Sequence, residues 1–213
     1  AMDTRRLAGK NQSTTPISPK GKFIINVMNK NKSYIETLQK KQVEFILKSQ
    51  EYATLLQNLA KEISKKCNDL TLSEASIASI FELKLFKFIS DIFQQEIIPE
   101  KEVAIDTERH ISKGRIDSKI GAVVIEYKKP AVLKNATKRS KATSQLKEYL
   151  QGLLEKQQGV LVGVVTDGVR CQIITWGENL SSEPQYHELD SNDVNTIIKS
   201  ILLLNETALS PAN

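Results

Sequence analysis

From Ser33 to about Lys66, Ile35, Leu38, Phe45, Tyr52, Leu56, Leu59 and Ile63 recur at spacings of three, four and seven, the stripe of a long amphipathic helix. Gln42 and Ser49 interrupt the stripe, which favours packing on its own domain over coil-like association between chains. Thr71 to Phe93 reads as a second, more apolar helix, opened by a Thr71-x-x-Glu74 capping box, and Pro99 closes the connection after it. The period then falls to two. A strand near Val103 precedes the run Gly114 to Lys128, which reads as a hairpin about Gly121-Ala122, with Gly first as a type II′ turn wants. A helix from about Ser140 to Lys156 follows. Gly159 to Val165 and Val169 to Trp176 then form a second strand pair around Asp167-Gly168, its first strand continuously apolar like a central strand covered on both faces. Residues 177–190 read as a polar loop, and a last helix capped by Ser191 or Asn192 runs to about Leu204.

The hairpin carries the candidate chemistry. With Gly121-Ala122 in the turn, Ile120 faces Val123, Ser118 faces Ile125 and Ile116 faces Tyr127 on one side. On the other side Asp117 opposes Glu126, Arg115 opposes Lys128 and Lys119 opposes Val124. Two opposed carboxylates with Cβ atoms about 5 Å apart repel unless something positive lies between them. A hard divalent cation such as Mg²⁺ or Mn²⁺ suits two carboxylates, and Lys128 projects onto the same face. The alternative is a solvated, charge-paired face of an antiparallel hairpin. Beyond Pro130, Gln145 and Tyr149 stand four residues apart on one helical face.

An Asp, then Glu-x-Lys at a strand end, then Gln-x-x-x-Tyr on the next helix resembles the PD-(D/E)xK nuclease superfamily. More narrowly, Gly114-Arg-Ile-Asp117, Val124-Ile-Glu-Tyr-Lys-Lys-Pro130 and Gln145-Leu-Lys-Glu-Tyr149 resemble the RecB-like nuclease domains of restriction enzymes. Those include the N-terminal domains of type I motor subunits and of fused restriction-modification enzymes. The resemblance covers residues 72–177, with Ile116 in place of the motif's nominal Pro. It implies an α/β fold with a restriction-endonuclease-like core, αβββαββ, in which a mixed central sheet is flanked by helices. An N-terminal helix and a C-terminal helix are added to that core.

By the same resemblance Asp117, Glu126 and the carbonyl of Tyr127 hold Mg²⁺, for which Mn²⁺ substitutes, and Lys128 acts on the attacking water. Gln145 and Tyr149 position phosphate or site side chains. The family also places a Glu on the preceding helix. Glu74 is favoured for this role, Glu82 and Glu108 compete, and capping is the alternative for Glu74.

Composition alters the picture modestly. The chain has 213 residues, 40% of them hydrophobic, enough for one good core. Its formal charge of +5 and pI of 9.1 suit a nucleic-acid partner, although 25 acidic residues temper the excess. Distribution says more. Lys128, Lys129, Lys134, Lys138, Arg139, Lys141 and Lys147 fall between 128 and 147 without one Asp or Glu. Arg115 on the hairpin, with Lys129, Lys138, Arg139 and Lys141 of this run, are the candidate phosphate contacts, against the alternative of a solvated basic loop.

Other chemistries lack residues. Cys67 and Cys171 form no CxxC, and His110 and His187 belong to no His-rich motif, so zinc ribbons, thioredoxin-like redox motifs and Cys-ligated iron-sulfur clusters are unsupported. No GxxxxGK[ST] occurs, so no motor ATPase is encoded here. The sequence shows neither a signal peptide nor a membrane span, and a cytoplasmic protein is expected. Residues 1–27 read as an added leader or disordered, 28–70 as a helical extension, 71–205 as the nuclease domain and 206–213 as a tail.

By the resemblance, the expected function is metal-dependent cleavage of double-stranded DNA in a restriction-modification system. Motor, methyltransferase or specificity subunits or domains are the expected partners, with a second copy needed for double-strand cutting. The alternatives are a catalytically silent restriction-endonuclease-like module that binds nucleic acid or docks on another subunit, and an assembly module built on helix 33–66.

Overall fold

The computed structural model describes residues 41–105, 114–154, 160–176 and 185–202, with the side chains of 102–105, 114 and 115 left out. The chain divides into two units, Ala1–Leu47 and Lys48–Asn213. Within the first, residues 41–47 are helical. The single helix expected from Ser33 to Lys66 is broken, because Ser49 takes an extended conformation and accepts the Tyr52 N–H on its hydroxyl, 3.1 Å, to start a new helix, α1 (Gln50–Cys67). The expected stripe holds along α1. Tyr52, Leu56, Leu59 and Ile63 are buried against its own unit.

Helix α2 (Glu74–Phe93) begins later than its sequence suggests. Thr71 turns its N–H and hydroxyl to Asp69 Oδ1, 2.9 and 2.7 Å, leaving Ser73 as the cap through its bond from Ser76 N–H, 3.1 Å. The Thr71–Glu74 capping box is therefore absent, and Glu74 is free for another task. Strands β1 (Glu100–Ile105), β2 (Gly114–Ile120) and β3 (Val123–Tyr127) follow, then a short α3 (Pro130–Leu133) and α4 (Ala136–Leu154). The chain continues through β4 (Leu161–Thr166), β5 (Arg170–Trp176), β6 (His187–Glu188) and α5 (Ser191–Ile201). β6 lies in the segment read from sequence as loop. α5 is capped by Asp190, one residue earlier than expected, in a reciprocal capping box with Asp193.

The six strands lie in sequence order β1-β2-β3-β4-β5-β6, antiparallel except for the parallel pair β3–β4. The molecule is thus α/β, with a mixed sheet flanked by helices. In β2–β3 the register is the expected one, Ile120 with Val123, Lys119 with Val124 and Ser118 with Ile125. Gly121 has φ +56 and is the sole turn residue there in the left-handed region, as a type II′ turn requires. The second hairpin differs. Asp167 N–H bonds the Arg170 carbonyl, so Gly168 (φ +79) and Val169 form the turn, while Asp167 Oδ1 accepts the N–H groups of Val169 and Arg170. The Asp side chain acts as a local cap beside the turn instead of occupying it.

Alternation decides which helix covers which face. Val124, Gly163 and Val165 meet α4, whose Leu146, Leu150 and Leu153 share a buried cluster with them. An added Cβ on Gly163 would stand 2.7 Å from Leu150 Cδ1 and 2.8 Å from Leu146 Cδ2, so the helix lies close on the strand there. Tyr127 points the opposite way and packs edge-on against Phe81 of α2, ring centroids 5.9 Å apart. α1 braces that layer, and its Tyr52 hydroxyl bonds Asn195 of α5, 3.2 Å. Among the described residues no helix is long and apolar enough to cross a membrane.

Candidate active site

The β2–β3 ladder runs from the turn to Ser118 and Ile125. One residue further, Asp117 Oδ2 itself accepts the Tyr127 N–H, 2.8 Å. A side-chain oxygen thus takes a donor at the place where the next backbone partner would stand. Tyr127 is held from behind as well. Its phenol, buried beneath α2, donates to Glu82 Oε1, 3.2 Å, and Glu82 is ion-paired with Lys101. Glu82, a sequence candidate for the upstream site carboxylate, is thereby committed to the far face of the sheet.

Glu126 faces the α4 side and is only 2% exposed. Its Oε1 receives the Lys128 ammonium at 2.5 Å. Its Oε2 is buried and has no hydrogen-bond partner. Burial, and then the charge of Asp117, push the Glu126 carboxyl up to about 7. Asp117 is raised by burial too, against the opposing bond from Tyr127 N–H and the charge of Lys128. Burial alone would lower Lys128, but the hydrogen bond and charge of Glu126, with Glu74 and Asp117, carry it above the ordinary lysine value.

Helix α4 completes the group. Lys128 Nζ lies 3.3 Å from Gln145 Oε1, and Gln145 Nε2 donates to the Tyr149 hydroxyl at 2.6 Å. Asp117, Glu126, Lys128, Gln145 and Tyr149 therefore come together. Tyr149, one turn beyond Gln145, sits in the core cluster with its hydroxyl turned to the site. Glu74, at the first position of α2, accepts the Lys129 N–H on Oε1, 3.3 Å, and its charge is felt by Asp117, Glu126 and Lys128. It borders the pair without forming a three-carboxylate cluster with it. Glu108 and His110 lie outside the described residues.

From Lys138 onward the basic run is helix, not loop. Asn135 caps α4 by accepting the Lys138 N–H on Oδ1, 3.1 Å. Lys138 and Lys141 are exposed and lie three apart, so Lys138, Lys141, Gln145 and Tyr149 make one stripe leading along α4 to Lys128. The side chain of Lys129 is exposed. Arg139 is engaged elsewhere, bonded to the Leu133 carbonyl at 3.2 Å and lying 5.8 Å over the Tyr186 ring. The Arg115 side chain lies outside the described part of β2.

The donors at this site fit a hard divalent ion. Two carboxylates meet, and one of them presents a buried oxygen without a partner. A second grouping escaped sequence reasoning. Cys171, His187 and Asp193 are, among the described residues, the one set of three metal-capable side chains with mutually close ligand atoms. No motif spacing announces them, since they meet only through the β5–β6 register and the α5 cap. Comparison of the chain with protein-family models, curated proteins and solved structures finds no match.

Proposed function

We propose that this chain is a metal-dependent DNA endonuclease domain of a restriction-modification type, built on a restriction-endonuclease-like core. The observation that carries the reading is the buried, unpartnered Oε2 of Glu126 beside Asp117, with Lys128 on the other Glu126 oxygen. An unsatisfied buried carboxylate oxygen is costly, and at Glu126, unlike at the turn residue Asp167 whose Oδ2 is likewise buried and unpartnered, it accompanies a second carboxylate and a lysine.

Asp117, Glu126 and the Tyr127 carbonyl would hold Mg²⁺, or Mn²⁺ in its place. When bound, the ion supplies positive charge to the scissile phosphate and acidifies water near it. Lys128 brings a charged N–H donor to the same point. There it orients water for in-line attack and takes up charge that develops on the phosphate. Gln145, tied to both Lys128 and Tyr149, keeps the ammonium on the α4 side. Tyr127, bonded through its phenol to Glu82 and through its N–H to Asp117, fixes the strand end from which Glu126 and Lys128 project. The stripe of Lys138 and Lys141 gives the phosphate backbone a path to the pair. Double-stranded DNA is the substrate, a second copy is needed to cut both strands, and motor, methyltransferase or specificity components are the partners of the family it resembles.

A silent docking module is favoured by one observation. Lys128 already places a positive charge on Glu126, so the pair has a partner without any ion. Incubation of supercoiled plasmid with Mg²⁺ or Mn²⁺ separates the two readings. The intact chain should nick it, whereas Asp117→Ala, Lys128→Ala and an EDTA control should lose at least about a hundredfold in rate, the scale of one well-placed electrostatic group. Equal rates for Asp117→Ala and the intact chain would sink the proposal. If nothing cleaves, Mn²⁺ binding that Asp117→Ala removes still supports the site, and its absence supports the silent module.

A further inference from the structure

Cys171 and His187 are direct partners in the β5–β6 register, and Asp193 comes to them from the first turn of α5. Cys171 Sγ lies 3.8 Å from His187 Nε2, and the same Nε2 lies 2.9 Å from each oxygen of Asp193. The other ring nitrogen, Nδ1, is 3.0 Å from the Gln185 carbonyl oxygen, which only accepts, so Nδ1 carries a proton. One nitrogen thus faces both the sulfur and the carboxylate. A nucleophile-base-acid triad would divide these partners between the two nitrogens. Cys171 is moreover fully buried, out of reach of a substrate. An imidazole with one nitrogen turned to other donors and the second bonded to a backbone carbonyl is instead the arrangement of a metal ligand with its supporting acceptor.

We propose that Cys171, His187 and Asp193 form a Zn²⁺ site, separate from the Asp117–Glu126 pair. Thiolate and imidazole select a borderline-soft transition ion over Mg²⁺. With Zn–S about 2.3 Å and Zn–N about 2.05 Å, tetrahedral ligation sets sulfur and nitrogen about 3.6 Å apart, close to the separation found. The carboxylate has to open from the imidazole by roughly 0.4 Å to reach its own tetrahedral spacing. Asp193 Oδ2 is oriented by the Asp190 N–H, 2.9 Å, the bond that also caps α5. His187, its side chain 45% exposed, leaves the fourth position to solvent and gives the ion its way in. On coordination the thiol proton, and any proton on Nε2, pass to buffer. The bound ion would clip β5 and β6 to the start of α5.

The test uses the full chain, stripped with chelator and titrated with Co²⁺. A thiolate-to-cobalt charge-transfer band should saturate at one equivalent and vanish on addition of one equivalent of Zn²⁺, and Zn²⁺ should raise Tm in the intact chain and in Asp117→Asn but not in His187→Ala. The band should disappear in Cys171→Ser and His187→Ala and persist in Asp117→Asn, so that failure of this site and of the proposed nuclease site are told apart. His187 is half exposed, and His187→Ala keeps the experiment interpretable if Cys171→Ser fails to fold. No band in the folded intact chain, a band unchanged in His187→Ala, or a band that survives Cys171→Ser and so belongs to Cys67 would each overturn the assignment.

Discussion

Glu126 titrates where its surroundings dictate, and the consequence is measurable without any substrate. Its folded-state value of about 7 stands above the ordinary 4.5, chiefly through burial and then through Asp117. Between those two pH values the native state keeps a proton that the unfolded chain has released. Stability of the ion-free protein therefore falls as pH rises across that window and levels off above it. The loss attributable to this group is on the order of 3 kcal/mol. Glu126→Gln, which cannot ionise, should flatten the profile in urea unfolding between pH 5 and about 7.5. Mn²⁺ should restore stability at the upper end in the intact chain and not in the variant, because an ion that binds only the folded form stabilises it by mass action. An unchanged slope in Glu126→Gln would show that Glu126 does not carry the proton.

The elements that bring these residues together were legible to different degrees. The hairpin register follows from period two and from Gly121, so the pairing of Ser118 with Ile125 could be read directly. The α1 stripe was equally readable, but its start was not, since a propensity pattern cannot tell that Ser49 will cap. Thr71 and Glu74 show the same limit. The spacing of a capping box was present, yet Asp69 competed for Thr71 and Ser73 took the cap. The close seating of α4 on β4 is a packing fact that sequence shows only as a glycine inside an apolar strand. Gly163→Ala should cost about 1–3 kcal/mol, because Leu146 and Leu150 are buried tips with little room to withdraw. The shift should appear in the midpoint of urea unfolding with m unchanged, and a midpoint equal to that of the parent would show that the helix rides over the added methyl.

At the scale of the whole molecule, what could not be read were contacts between distant segments. Cys171, His187 and Asp193 fit no spacing rule, and the partnership of Glu82 with Lys101 and Tyr127 joins three separate elements. Charge behaves differently, because its placement along the chain already outlines a surface. A net +5 is too small to bind nucleic acid by itself, so affinity depends on where the cations sit. Lys138 and Lys141 are exposed on the face of α4 that leads to Gln145, whereas Arg139 is held by Leu133 and Tyr186. If the stripe neutralises phosphates, Lys138→Ala with Lys141→Ala should reduce the slope of log K against log salt by roughly 1.8 for duplex DNA, about 0.9 for each phosphate no longer neutralised. The weakening should be alike for unrelated sequences, since phosphate contacts carry no base information. Arg139→Ala should change the slope less and unfolding more, because its bonds are internal. Asp117→Ala should leave the slope intact while abolishing cleavage, which separates binding from chemistry. A salt slope indifferent to the double lysine variant would move the DNA path off α4, and Lys129, whose side chain is exposed, would then be the next cation to test.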